Sequence, residues 1–290
     1  PPIRDAVRKH FTRDFSTSVQ SMPRIYILGL GRVGSCLIQN LRQCGYRVVG
    51  WSKGQEPLSS WLESNAPQEG DVFILTVPDQ AIVQLAKTLS SSLDASHILI
   101  HCAGMLPPVV ISPLLATHTG VMHPIRSIAD KDTDLAQTHW GVFGGTSARR
   151  CIETMVDRLS GRMFAVDPAH QQLYHAAMVI VGNLPVALLA CAEMIMTQVG
   201  VDAVEIRDAL LALLGSAYDN LKEHETRSAL TGPIARHDLA TVEKHLVALD
   251  EMDPQTAQLY RLASIRLAKL VEWESGRSRL STAGPKGSRL

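Results

Sequence analysis

The chain has no excess charge of either sign: 28 lysines and arginines are balanced by 28 aspartates and glutamates over 290 residues. Neutralising a phosphate backbone requires a basic face, so no nucleic-acid partner is expected. Aromatic residues are scarce, at 5%, which argues against a stacking platform for single strands. The cysteines, at positions 36, 44, 102, 151 and 191, are odd in number and form no C-x-x-C pair. That pattern excludes an ordinary disulfide framework and zinc-ribbon spacing, and reduced thiols in a cytoplasmic protein are the expectation. No H-x-x-x-H or H-E-x-x-H falls on a helical stretch, so no metal site is expected. Apolar residues, by contrast, are plentiful: 46% against 19% charged. That is enough for a substantial core, and the length suggests two domains at about 150 residues each.

Residues 1–22 carry four basic residues with serines and threonines, as a mitochondrial transit peptide would, but Asp5 and Asp14 speak against one. A disordered leader is the simpler expectation. The segment 275–290 is rich in glycine, serine and arginine without periodicity, and reads as a disordered tail. Residues 176–192 come close to the length that crosses a bilayer. Asn183 and Pro185 interrupt that run and Glu193 ends it. The expectation is therefore no membrane partner, and a helix buried inside the protein or in a dimer.

Residues 24–28 (RIYIL) are an apolar, β-forming run that leads directly into Gly29-Leu30-Gly31-Arg32-Val33-Gly34. A stretch with helical spacing at Leu37, Ile38 and Leu41 follows, Gly45 ends it, and YRVVGW (46–51) is the next strand. This strand–turn–helix–strand context gives a G-x-G-x-x-G match its meaning. Gly29 is assigned the tight turn, Gly31 the bare approach to a pyrophosphate, and Gly34 the close packing of helix on strand. The diphosphate would then meet free N–H groups at the positive end of a helix. The second strand ends in Ser52-Lys53 with no carboxylate before Glu56. A 2′-phosphate is accommodated by a hydroxyl and an ammonium and repelled by an acid, so NADP(H) is the expected cofactor, with Arg32 as a further phosphate partner.

The pattern continues through DVFILTVP (71–78), HILIHC (97–102), THTGVMH (117–123) and HWGVFGG (139–145), the last expected at the sheet edge. Asp79 is placed to cap a helix over 80–91. Strands alternating with helices predict a doubly wound, mostly parallel α/β sheet of Rossmann type over 23–166. Ligands of such sheets sit outside the carboxyl ends of the strands, where Val77-Pro78, His101 and His123 fall. After Asp167-Pro168 the sequence is helical, defining an all-helical domain over 167–274. It has a long segment at about 169–199 kinked near Pro185, and further helices at about 202–222, 238–250 and 254–273. The loop 229–238 carries Arg236, suited to capturing a carboxylate, and Asp238, an expected N-cap.

These residues resemble a mainly bacterial family of NADP-dependent oxidoreductases with an N-terminal Rossmann-like domain and a C-terminal domain of unknown function. The resemblance covers about 23–265 and rests on GLGRVG (29–34), VPDQAI (77–82), HCAG (101–104), MHPIRS (122–127), YHAA (174–177) with Asn183, and LTGPIARHD (230–238) with His245. More distantly the chain is similar to the superfamily of pyrroline-5-carboxylate reductase, ketopantoate reductase and the 6-phosphogluconate dehydrogenase C-terminal domain. What this implies is a homodimer formed through the C-terminal helices. Two departures stand out: His237 replaces a usually small residue, and Ala103 replaces a frequent hydroxyl. Many β-hydroxyacid relatives also carry a lysine four residues before a helix asparagine, and that position is Val179 here.

With that lysine missing, histidine becomes the candidate proton donor for hydride chemistry on a carbonyl or imine. The expected set is His175 or His123 as acid/base, with His101 nearby, Tyr174 and Asn183 orienting a small substrate, and Arg236 holding an anionic end. The alternative reading is a non-catalytic NADP(H)-binding sensor or regulatory dimer, which needs the same glycine loop.

Overall fold

The computed structural model describes residues 22–111 and 118–282. The chain forms two compact units that divide between Gly182 and Asn183, later than the 166/167 boundary expected from sequence.

The first unit is built on a seven-stranded sheet of order β2-β1-β3-β4-β5-β6-β7. The strands are β1 (Ile25–Leu28), β2 (Val48–Trp51), β3 (Val72–Leu75), β4 (Ile98–His101), β5 (His118–Ile125), β6 (His139–Gly144) and β7 (Arg162–Ala165). All neighbouring pairs run parallel except β5 with β6. The doubly wound, mostly parallel sheet followed by a helical region is therefore present. The 139–145 segment is not the edge, however. β7, a largely exposed strand of four residues, pairs outside it.

The central strands are buried on both faces, and their alternating side chains feed two cores. Ile25 and Ile27 of β1, with Val72 and Ile74 of β3, meet Leu37 and Leu41 of α1 (Arg32–Gln43) and Ile152 and Met155 of α4 (Thr146–Arg158). Tyr26, Leu28, Phe73 and Leu75 face the other way. They meet Trp61 and Leu62 of α2 (Leu58–Ser64) and Ile82 and Ala86 of α3 (Asp79–Leu89). Tyr26 stacks on Phe73 with ring centroids 4.4 Å apart. Each fully buried large side chain contributes about 1.5–3 kcal/mol, so the two-sided burial fixes the sheet. Asp79 is the first residue of α3 rather than its cap, and Pro78 takes the cap position. The carboxylate still sits in the first turn, where the helix dipole favours it.

Asp167 accepts from the Ala169 N–H at 2.9 Å and opens a short turn, followed by α5 (Gln171–Gly182). The long helical segment is interrupted at Asn183, and α6 (Leu184–Gln198) resumes with Pro185 in its first turn. That is the position where a missing N–H costs least.

The second unit continues with α7 (Ala203–Glu223), α8 (Thr226–Ala229), α9 (Gly232–Ala235), α10 (Leu239–Met252), α11 (Pro254–Leu270) and α12 (Glu274–Thr282). Its core is small: Ile234, Val242, Leu246, Ala268, Trp273 and Leu280. The loop 229–238 holds the single-turn helix α9, and the first part of the expected tail, to 282, is helical. Asp238 is the N-cap expected of it, accepting from the Thr241 N–H at 3.1 Å. His237 has φ of +57°, a left-handed conformation in which side chains are disfavoured. Here the imidazole stacks on Trp273 at 5.1 Å.

Candidate active site

The turn after β1 is held from both sides. The Gly29 N–H donates to the Trp51 carbonyl at 2.8 Å, the Thr76 N–H donates to the Leu28 carbonyl at 2.9 Å, and the Thr76 hydroxyl donates to the Gly29 carbonyl at 2.6 Å. Gly29 has φ of +114°, and a Cβ there would lie 2.8 Å from the Val77 nitrogen. A Cβ on Gly34 would strike the Gly29 carbonyl oxygen and come within 2.6 Å of the Thr76 hydroxyl. Gly31, at the N-cap of α1, has nothing within 4 Å of its Cβ position. The three glycines thus divide the work as their spacing requires: turn, open notch, close packing.

Around the notch lie the remaining candidates for holding a nucleotide. Leu30 packs its side chain over Gly50, Val33 is half-buried, and Arg32 is exposed. Ser52, half-buried, directly follows Trp51, whose carbonyl receives the Gly29 N–H. Lys53 is exposed in the next turn. Neither Arg32 nor Lys53 has an ion-pair partner among the described residues. Val77 and Pro78 follow β3 on the other side. This arrangement fits an NADP diphosphate and 2′-phosphate: open space at Gly31 at the N-terminus of α1, with two cations on the adjoining turns that have no ion-pair partner among the described residues.

A second cluster forms at the same carboxyl end of the sheet. His101 closes β4, and in the β4–β5 register it faces Val121, two residues before His123. The Nδ1 atom of His123 lies 2.7 Å from the Tyr174 hydroxyl on α5. The His123 and His175 rings are 5.9 Å apart. Two glycines make room for this cluster. A Cβ on Gly104 would lie 2.7 Å from both His123 Nε2 and His175 Cδ2, and a Cβ on Gly141 would strike the Tyr174 hydroxyl. The amide of Gln171, 2% exposed, donates to the carbonyls of Gly104 (3.1 Å) and Leu106 (2.6 Å) and ties the start of α5 to the loop after β4.

Burial sets the charge states. His123 is pushed down to about 4 by burial first and the nearby His175 second. His101, 0% exposed, is also pushed down to about 4 by burial, against a weaker pull from the Pro107 carbonyl. Both rings are neutral near pH 7. Burial raises Tyr174 to about 12, so the phenol keeps its proton. With Tyr174 donating to His123 Nδ1, the remaining N–H of His123 is at Nε2, the atom beside Gly104 and near His175. His101, being enclosed, acts on a ligand only through its neighbours, whereas His175 is half-buried.

Of the residues expected to act, His101, His123, Tyr174 and His175 are gathered in the first unit. Asn183 and Arg236 belong to the second. Asn183 is the N-cap of α6 and makes no side-chain cap bond. Arg236 is exposed at the end of α9, without an ion-pair partner among the described residues. His245 holds the Tyr260 hydroxyl at 2.9 Å within the second unit. Gln171, Gly104 and Gly141 were not expected as site residues. Gly104 and Gly141 were nonetheless visible inside HCAG and HWGVFGG.

The fold and the glycine turn define a Rossmann-type dinucleotide-binding protein with a helical partner unit. Residues 24–104 match the family model described as NADP oxidoreductase, coenzyme F420-dependent. Residues 138–267 match the domain of unknown function DUF2520. The first match falls on the glycine-turn half of the chain and the second on the part that follows. Similar solved structures include Bacteroides fragilis BF3122, at 22% identity over 85% of this chain and 98% of that one, with a TM-score of 0.69. Thermotoga maritima TM1727 aligns at 22% identity over 87% and 99%, TM-score 0.68. Pyrroline carboxylate reductase from Plasmodium falciparum, solved with NADP bound, aligns at 12% identity over 86% and 99%, TM-score 0.57. At these identities the likeness is one of fold.

Proposed function

We propose that this chain is an NADP(H)-dependent oxidoreductase that moves hydride to or from a small carbonyl, hydroxy-acid or imine compound. The observation that carries this reading is the open space at Gly31, at the N-terminus of α1, on the same sheet end as the His123–Tyr174–His175 cluster. When bound, the nicotinamide would supply or accept the hydride. The Gly29–Gly34 turn would hold the diphosphate on its N–H groups, and Ser52, Lys53 and Arg32 would hold the 2′-phosphate.

His175 is assigned the proton. Charge that develops on the substrate oxygen or nitrogen needs a donor within reach, and an imidazole is the side chain suited to this near neutral pH. Neutral His123 and protonated Tyr174 form a fixed polar wall beside it, oriented by their mutual hydrogen bond. Asn183 and Arg236 belong to the second unit and are given no place in this cluster.

The reading includes a homodimer. In the helical stretch 168–198 the most apolar window has a mean hydropathy of 2.0, and none of it is buried, although the sequence pattern led one to expect burial. By length and composition the stretch is sufficient to cross a membrane. Asn183 and Pro185 at its middle favour a second copy as the cover. On α7, Leu213 (68% exposed) and Tyr218 (62%) add to the uncovered apolar surface. Five free thiols support a cytoplasmic setting.

The test is a spectrophotometric screen of NADPH consumption against keto acids, aldehydes and cyclic imines, with NADH in parallel. Turnover that is faster with NADPH is expected. Nucleotide binding with no turnover on any class would replace this reading with that of a sensor.

A further inference from the structure

A cavity of about 570 Å³ opens at the end of the sheet opposite the glycine turn. That volume is within the range of small-molecule sites. Its floor is apolar and formed by the first residues of three parallel strands, Ile25, Val72 and Ile98. One wall is a stripe of α4 at helical spacing that carries Arg150, Thr154 and Arg158. Among the described residues lining it, two are guanidinium-bearing and none is acidic.

Two further features point to a ligand. Tyr46 lines the cavity and is 7% exposed, and its hydroxyl has no hydrogen-bond partner among the described residues. Leaving such a buried group unmatched is unfavourable. Burial also pushes its pKa up to about 12, so the phenol stays protonated in the cavity wall. The two arginines are unequally engaged. Arg158 lies over the Tyr46 ring at 5.2 Å and donates to the Cys44 carbonyl at 3.3 Å. Arg150 is exposed and has no ion-pair partner among the described residues.

We propose that this cavity is a second binding site, for a small monocarboxylate with an apolar body, separate from the nucleotide crevice. The carboxylate meets Arg150, and the apolar body lies on Ile25, Val72 and Ile98. Because the site is at the amino ends of the strands, its ligand takes no part in hydride transfer and binds independently of the nucleotide.

The test is calorimetric titration of the full chain with octanoate, alone and with saturating NADPH, alongside observation of methionine methyl resonances. Octanoate is expected to bind with a Kd of about 1 mM or below, with NADPH leaving that value unchanged. The Met155 and Met22 methyls, which line the cavity, should shift. Octan-1-ol should bind at least about fivefold more weakly, as should octanoate to Arg150→Gln. Thr154→Trp, which fills the cavity, should abolish binding. Should that variant fail to fold, Arg150→Gln on the surface decides alone. Absence of heat with octanoate would overturn the site, including the case in which other residues of the chain already fill it. Equal affinity for the alcohol, indifference to Arg150→Gln, an unmoved Met155 methyl or competition by NADPH would each overturn it as well.

Discussion

Lowering the pH should strip stability from the first unit well before its carboxylates protonate. His101 and His123 are held near 4, against an ordinary value of 6.5. Below 6.5 the unfolded chain takes up protons that the fold refuses until about 4. Stability is therefore intact above pH 6.5, falls as the pH drops through that interval, and levels off below it. At about 1.4 kcal/mol per pH unit, each imidazole removes about 3 kcal/mol across the window. Together they approach the entire stability of an ordinary domain. At pH 4.5 the midpoint should lie about 10 °C or more below its value at pH 7. Circular-dichroism melts at half-unit steps in pH read this directly, with unfolding fitted separately for each unit. His101→Leu keeps the site filled and should remove about half of the slope. A melting temperature that stays flat from pH 7 to 4.5 would refute the assigned burial of these rings.

The glycine turn makes paired expectations. Gly31→Ala adds a methyl to open space in an extended conformation any residue adopts, so melting should be unchanged while NADPH affinity falls about tenfold or more. Gly34→Ala forces its methyl onto the Gly29 carbonyl and should cost about 1–3 kcal/mol of stability in denaturant titration. Lys53→Ala should lower the ratio of NADPH to NADH affinity about fivefold in fluorescence titration, and an unchanged ratio would remove Lys53 from the phosphate site. Once a substrate is known, His175→Ala should slow turnover by about 10²–10⁴-fold with NADPH affinity nearly constant. Leu213→Glu on the uncovered face of α7 should shift the mass measured by light scattering from dimer to monomer, and a wild-type monomer would remove the dimer reading.

The nucleotide half was legible because its signals are local. A run such as RIYIL, buried on both faces, is continuously apolar whatever lies beside it, and the roles of Gly29, Gly31 and Gly34 follow from a turn only six residues long. β7 escaped notice because its apolar stretch, Met163-Phe164-Ala165, is short and lies on an exposed edge. The need for glycine at 104 and 141 arises from side chains far along the chain, His123, His175 and Tyr174, so no local pattern announces it. Gln171 acts through carbonyls more than 60 residues away, and an amide in a helix looks the same whether anchored or free. His101 was located by its place at a strand end, but not its complete enclosure, which depends on the packing around it. Asn183 broke the long helix two residues before Pro185. The proline explains why a helix cannot run through without losing a hydrogen bond, and the chain yields where that bond would have been prepared.

Isothermal titration of the wild-type chain with NADPH and NADP⁺, with Gly31→Ala run alongside, probes the nucleotide notch most directly. Micromolar association of the wild type, weakened in the alanine variant at unchanged melting temperature, is the expected result. No association of either nucleotide at millimolar concentration, or equal affinity in both proteins, would contradict a diphosphate seated on the main chain at Gly31.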